Sequence, residues 1–378
     1  SPVKLIVNVS GILGGGGLQV ALSLLRECVS FPEHEYHVFL GRAVGSRLNR
    51  ERFPENFIFH DIPRLPKYRF QLRLGNLEKR IRPDAVFTVF GPAYWRPAAP
   101  HAEGYAIPHY LYPESPFFQN LSTAGRLRLV LLERLHRFCF RREADLWIAE
   151  TDETVRRLKW FLNRKTVYTV SNTCSAGFLE PVPDLPPLLP EKRPDEFRVL
   201  VPAVPYPHKN LALLGKIADE LRFRQAENVR MVVTLAERDY QRIFGSRYRD
   251  SIVNVGTVPP EKCPGLYHEC DAVFLPSLLE CFSGVWAEAM ATGRPLLVSD
   301  LSFVRPVCGT AALYFDPLDA EDATDKILRL KNDPFLREKL IAAGTDRLQT
   351  FGTAVDRTEK TLSILSLPAF LNAKSRKS

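Results

Sequence analysis

Short apolar runs rich in β-branched residues alternate with longer stretches of helical spacing along most of the chain. VKLIVNVS (3–10) reads as a strand, GILGGGG as a loop and LQVALSLLREC as a helix. EYHVFLG (35–41), PDAVFTVFG (83–91), EGYAIPH (103–109), ADLWIAET (144–151) and KTVYTVSN (165–172) repeat the strand pattern. TDETVRRLKWFL, between the last two, has helical spacing. Strands alternating with helices predict βαβ units and a parallel sheet.

PVPDLPPLLPEKRPDE (181–196) then interrupts the pattern with six prolines in sixteen residues. Proline stiffens the backbone and offers no N–H to a ladder, so this stretch predicts a linker. A second alternation follows. FRVLVPAV (197–204), VRMVVTLA (229–236), SIVNVG (251–256), DAVFLPS (271–277), RPLLVSD (294–300) and AALYFDP (311–317) read as strands. LALLGKIADELRF, AEDATDKILRLKND and GTAVDRTEKTLSILSL read as helices. The expected organisation is therefore α/β, with two Rossmann-like doubly wound domains over 1–180 and 197–350, a linker over 181–196, and a last helix and tail over 351–378. Such sheets bind ligands at the carboxyl ends of their strands, and two of them can face each other across a cleft. The NAKSRKS tail is expected to be disordered.

Composition adds exclusions. A chain of 378 residues with 45 % hydrophobic and 25 % charged residues is ordinary for a globular protein. No run of eighteen uncharged apolar residues exists to span a membrane. The start, SPVKLIVNVSG, reads as a first core strand and not as a signal peptide. Seven cysteines without a CxxC predict a reduced, cytoplasmic chain without a disulfide framework. The net charge of +8 is uneven: residues 1–190 hold 25 Lys/Arg against 18 Asp/Glu, and the remainder 26 against 25. The excess lies in 64–82 and 126–142, where arginine alternates with Leu and Phe. Such a surface suits an anionic membrane or a solvated helix face. No helix-turn-helix, zinc-finger or RNP-like signature supports nucleic acid.

Four stretches carry candidate chemistry. Gly14 to Gly17, between a strand and a helix, let the backbone approach a phosphate closely, with Gly15, Gly16 and Gly17 at the helix start. Lys209, before a helix, can neutralise a diphosphate. In PSLLECFSGVWAEAMATG a strand end leads into a helix expected to begin near Ser283. The amides of Phe282, Ser283, Gly284 and Val285 would then be free for a phosphate, and Glu288, one turn in, could accept both hydroxyls of a ribose. Glu280, in the preceding loop, could reach another part of the same ligand. His109, directly after a strand, can donate to substrate hydroxyls. There is no DxD triplet and no His/Cys cluster, so no metal site is expected.

Together, the Gly-rich first loop, Lys209-Asn210 before a helix, and Glu280-x-Phe282-x-Gly284-x-x-x-Glu288 followed by AMATGRPLLVSD resemble the GT-B glycosyltransferases of family four. The resemblance covers nearly the whole chain. It implies a retaining transfer of a sugar from a nucleotide diphosphate donor to a glycan or lipid-linked glycan, without a metal or other cofactor. Surface polysaccharide synthesis, of O-antigen or capsule type at the inner face of the cytoplasmic membrane, is the expected setting. It further implies an acceptor-side first domain, a donor-binding second domain, and a final helix that crosses back to the first. Carried over by position, Glu288 holds the donor ribose and Glu280 the donor-sugar hydroxyls. The amides over 282–285 face sugar and diphosphate. Lys209 stabilises the leaving diphosphate, Gly15 to Gly17 let the first domain close on the phosphates, and His109 sits at the sugar. Tyr94, Trp95 and Arg96 are expected on the acceptor side. Ala203 and Val204 stand where the family usually has an arginine, and the strand VRMVVTLA lacks the usual following glycine.

Three other classes remain open on the residues alone. A nucleotide-sugar 2-epimerase shares the two-domain fold and needs no acceptor. A catalytically silent nucleotide-sugar binder would keep the fold without turnover. A nicotinamide-dependent oxidoreductase is disfavoured because Gly11-x-x-Gly14-x-x-Gly17 does not match GxGxxG and FLGRAV lacks the ribose-binding acid, although Arg42 could hold a 2′-phosphate.

Overall fold

The computed structural model describes residues 2–202 and 204–373. Ser1, Ala203 and the last five residues of the tail lie outside the described residues. The chain divides into two compact units: Ser1–Pro113, Asn120–Asn172 and Ala354–Ser378 form the first, and Glu114–Gln119 and Thr173–Thr353 the second.

The first unit holds β1 (Lys4–Asn8), β2 (Glu35–Leu40), β3 (Phe57–Asp61), β4 (Ala85–Thr88), β5 (His101–Gly104), β6 (Leu146–Ala149) and β7 (Val167–Thr169). They lie in the order β3-β2-β1-β4-β5-β6-β7. The second holds β8 (Phe197–Val201), β9 (Val229–Val233), β10 (Ile252–Asn254), β11 (Ala272–Leu275), β12 (Leu296–Ser299) and β13 (Leu313–Phe315), in the order β10-β9-β8-β11-β12-β13. The pairings are parallel, with Val7 opposite Val38 on one side and Phe87 on the other. The chain winds outward from β1, then resumes on its other flank at β4. The same reversal falls between β8 and β11. These are the switch points at which a doubly wound sheet parts its loops.

Helices cover both faces, so the central strands are apolar in both directions. Leu5 and Val7 of β1 and Val38 of β2 pack with Leu22 and Leu25 of the Gly15–Cys28 helix. The final helices, Ala354–Leu365 and Pro368–Leu371, add Leu362, Leu365 and Phe370 to this same core. Each such buried side chain contributes about 2 kcal/mol, which holds the end of the chain on the first unit. Arg357 sits inside this contact, buried, donating from Nη1 to Asn172 Oδ1 (2.6 Å) and from Nη2 to Ser23 Oγ (2.8 Å).

Several features depart from the sequence pattern. β3 is an edge strand with only Phe57 buried, so its apolar run is too short to announce it. The Pro334–Phe351 helix has no clear apolar stripe: it buries only Leu340, Gly344 and Phe351. Gly344 lets it approach the Gly284–Ala291 helix, since an added Cβ would lie 3.3 Å from Met290 Cγ. The proline-rich stretch is no free tether. The amides of Leu188 and Leu189 donate to Glu269 at 3.1 and 2.9 Å, Arg198 Nη2 donates to the Pro190 carbonyl at 2.7 Å, and Leu189 is buried. Residues 114–119 join the second unit, where Ser115 Oγ donates to the Leu278 carbonyl at 2.5 Å and Ser302 Oγ to Glu114 at 2.7 Å.

Candidate functional site

In the second unit the candidate residues gather at the switch point. The loops after the neighbouring strands β8 and β11 must lie side by side. They are also tied together. The Leu278 amide donates to the His208 carbonyl at 2.8 Å, and Asn210 Nδ2 donates to the carbonyls of Pro276 (3.1 Å) and Pro317 (2.9 Å). Asn210 holds a left-handed φ of 57°, which closes the Pro207–Lys209 turn. Lys209 Nζ therefore reaches Glu280 and donates to its Oε1. Both side chains are mostly shielded, 16 % and 11 % exposed, so the pair keeps much of its Coulomb attraction.

The helix after β11 runs Gly284–Ala291 with Ser283 as its N-cap, within one residue of the expected start. Ser283 makes no side-chain capping bond, and the Trp286 amide donates to the Ser283 carbonyl at 3.1 Å, so the amides of Gly284 and Val285 are the ones left to another acceptor. The Phe282 side chain turns into the core against Trp286 and Phe351, leaving its backbone for a ligand. Glu288 folds back over this helix start: a Cβ added to Gly284 would lie 3.7 Å from Glu288 Oε1. Its other oxygen accepts from the hydroxyl of Tyr267. Loss of water raises the Glu288 carboxyl to about 7, with the Tyr267 hydroxyl opposing that rise. Tyr267 is buried edge-on against Phe178, 5.3 Å between centroids. Nothing in its sequence context, CPGLYHEC, marked it as a partner for Glu288; only the tertiary contact does. His208 is likewise new to the site, stacked on Tyr206 at 5.7 Å and edge-on to Phe117 at 6.4 Å.

The first unit repeats this logic. The glycine loop follows β1, and Gly15 opens the helix with a φ of 67°. A Cβ on Gly17 would touch Phe90 of the neighbouring loop after β4, at 3.4 Å. A Cβ on Gly16 would meet nothing within 4 Å, so the fold itself does not require glycine there. His109 lies in the Pro108–Tyr110 turn after β5, at the carboxyl side of the sheet. Burial lowers its pKa and so favours the neutral imidazole.

The acceptor-side trio separates. Tyr94 is half-exposed with a left-handed φ of 54°, and its hydroxyl is 2.8 Å from His136 Nε2. The other nitrogen of His136 is 2.8 Å from the Tyr110 hydroxyl. Trp95 is a correction: it is only 3 % exposed, packed against Phe39 and His101, and out of reach of a sugar. Arg96 lines a different cavity. Two buried carboxyls set the loop that carries these residues. The Ala93 amide is 3.0 Å from both Glu103 Oε1 and Glu143 Oε2, and the Tyr94 amide donates to Glu143 at 3.2 Å. Burial raises both acids, and the mutual repulsion of two carboxylates raises Glu103 further.

Among the described residues, no three His, Cys, Asp or Glu side chains group as metal ligands, and no helix is long and apolar enough to cross a membrane.

Two parallel doubly wound units, with the last helices packed on the first, are those of the GT-B fold. Residues 190–347 match the family model of the glycosyl transferases group 1. A glycosyltransferase structure from Rickettsia africae superposes with a TM-score of 0.72 at 12 % identity, over 98 % of this chain and 99 % of that one. The O-antigen chain mannosyltransferase B of Escherichia coli is 33 % identical over 97 residues, 26 % of each chain. The alpha-D-kanosaminyltransferase of Streptomyces kanamyceticus is 31 % identical over 108 residues, 28 % of each chain. The matches thus span under a third of these curated relatives.

Proposed function

We propose that the protein is a glycosyltransferase that moves a sugar, with retention of anomeric configuration and without a metal, from a nucleotide diphosphate to a glycan or lipid-linked glycan. The observation that carries this reading is the Lys209–Glu280 pair at the β8–β11 switch point, beside a helix start over which Glu288 folds. Glu288 accepts from the donor ribose. The amides over 282–285 and Lys209 meet the diphosphate, where their positive ends oppose the charge that grows as the sugar leaves. Glu280 orients the sugar through its hydroxyls. The leaving phosphate oxygen takes the acceptor proton on the same face, so catalysis rests on positioning and electrostatics. Within the first unit, the backbone of Gly15 to Gly17 is the candidate for phosphate contact, and His109, neutral, the candidate for donating to a sugar hydroxyl.

The likeness to an O-antigen mannosyltransferase supports a surface-polysaccharide acceptor. The exposed Leu127, Leu131, Leu135 and Phe138, set among arginines on the Thr123–Glu143 helix, support docking on an anionic membrane where a lipid-linked acceptor resides. A thermal-shift panel with UDP, GDP, ADP and dTDP, on native protein and Glu288→Ala, tests the donor half. One diphosphate at 100 times its Kd stabilises the native chain by about 2.7 kcal/mol, and Glu288→Ala loses the shift. No shift with any of the four overturns the reading. With the donor base known, the anomeric proton coupling of the product reports retention.

A further inference from the structure

Four arginines from three separate segments converge at the amino-terminal edge of the first sheet. Arg96 lies in the loop before β5, Arg141 and Arg142 end the Thr123–Glu143 helix, and Arg164 follows the Asp152–Leu162 helix. They line a cavity of about 270 Å³ together with Asp145 and Trp147. Asp145 immediately precedes β6 and Arg164 precedes β7, so this cavity lies at the opposite edge of the sheet from the glycine loop and His109.

Four guanidiniums face a single carboxylate there, and that carboxylate is already engaged, accepting from the His101 amide at 3.1 Å. Arg164 donates to the neighbouring Asn163 carbonyl at 3.0 Å, which leaves its charge unopposed. Arg141 and Arg142 complement the carboxyl end of their own helix. That accounts for two of the four but not for Arg96 or Arg164. A cavity so rich in donors and poor in acceptors is complementary to an anion. Guanidinium forks match the paired oxygens of a phosphate better than any single-point charge does. The exposed Leu131, Leu135 and Phe138 lead along the same helix towards the cavity, and Arg142 lies over the Phe138 ring at 5.8 Å.

We propose that this cavity is a phosphate-binding site, separate from the candidate site described above, that takes a phosphate monoester either free in solution or carried by a lipid headgroup. It stands apart from the proposed reaction, because binding here is read without turnover.

The test uses the full chain. Glycerol 3-phosphate is titrated by calorimetry, and co-sedimentation is measured with vesicles of phosphatidylcholine, with and without phosphatidic acid. Arg96→Gln/Arg164→Gln removes two cavity charges, and Arg222→Gln/Arg329→Gln removes two exposed charges from the second unit, away from both the cavity and the Thr123–Glu143 helix. The cavity variant is expected to weaken binding by about tenfold or more, with the control near native. Response to glycerol 3-phosphate assigns a soluble ligand. Response only to phosphatidic acid vesicles assigns a lipid-borne one. Absence of binding to both, or equal losses in the two variants, overturns the proposal. Arg141→Gln/Arg142→Gln provides a second cavity variant if the first does not fold.

Discussion

Lys209 and Glu280 are 71 residues apart in the chain and joined by a hydrogen-bonded ion pair. Neither residue lies on a strand. Each is delivered by a loop that leaves one of two adjacent parallel strands, and the Leu278–His208 backbone bond fixes the distance between those loops. The pair holds a cation and an anion side by side, mostly shielded from water.

Lys209→Ala leaves Glu280 shielded and unpaired. Stability is expected to fall by about 1–3 kcal/mol, and kcat to fall by about 10²- to 10³-fold. Glu280→Gln restores part of the lost stability in the double variant without restoring turnover. Denaturant unfolding and steady-state kinetics of the four proteins check this. Native kcat in Lys209→Ala would exclude electrostatic work by the lysine.

The Glu288 carboxyl, raised from 4.5 to about 7, gives a pH signature. Its folded value exceeds the unfolded one, so the fold keeps a proton that the unfolded chain has already released. Its contribution to stability therefore falls as pH rises from about 4.5 to about 7 and is level above that. Glu288→Gln should flatten this component of the melting profile relative to the native chain. If, as proposed, the ionised form holds the ribose, nucleoside diphosphate affinity should rise over the same window. A native-like slope in Glu288→Gln would assign the titration elsewhere.

Gly16 separates fold from function. A Cβ there meets no atom within 4 Å, so Gly16→Ala should melt within about 0.5 kcal/mol of native. If phosphates approach this backbone, donor KM rises by about tenfold, the equivalent of 1.4 kcal/mol. Gly104→Ala is the structural contrast: its Cβ would lie 1.8 Å from the Val89 carbonyl oxygen, and the variant should lose folded protein outright. Unchanged KM in Gly16→Ala would count against phosphate approach at that glycine.

Arg357 ties the last long helix to the first unit through Asn172 and Ser23. Arg357→Met should cost about 2–4 kcal/mol, since the buried acceptors lose their charged donor. Urea unfolding followed by far-UV circular dichroism measures this. A cost below about 0.5 kcal/mol would make the contact incidental.

Much of this protein is legible in the order of its residues. The alternation of apolar runs and helical stretches determined two parallel α/β halves, because strand and helix periodicities are local properties of the chain. The glycine loop and the helix start near Ser283 were also readable, since helix capping and left-handed turns depend on a few adjacent residues. Tertiary structure alone decided which distant groups meet. It gave Glu288 its partner Tyr267, joined Lys209 to Glu280, buried Trp95 as core, and drew Arg96, Arg141, Arg142 and Arg164 to one cavity. It also folded the proline-rich stretch onto the second unit and set the final helices on the first. The physical reason is the same in each case: such contacts follow from strand order and from which helix covers which face. Those are settled by burial over the whole unit and not by any segment's own preference.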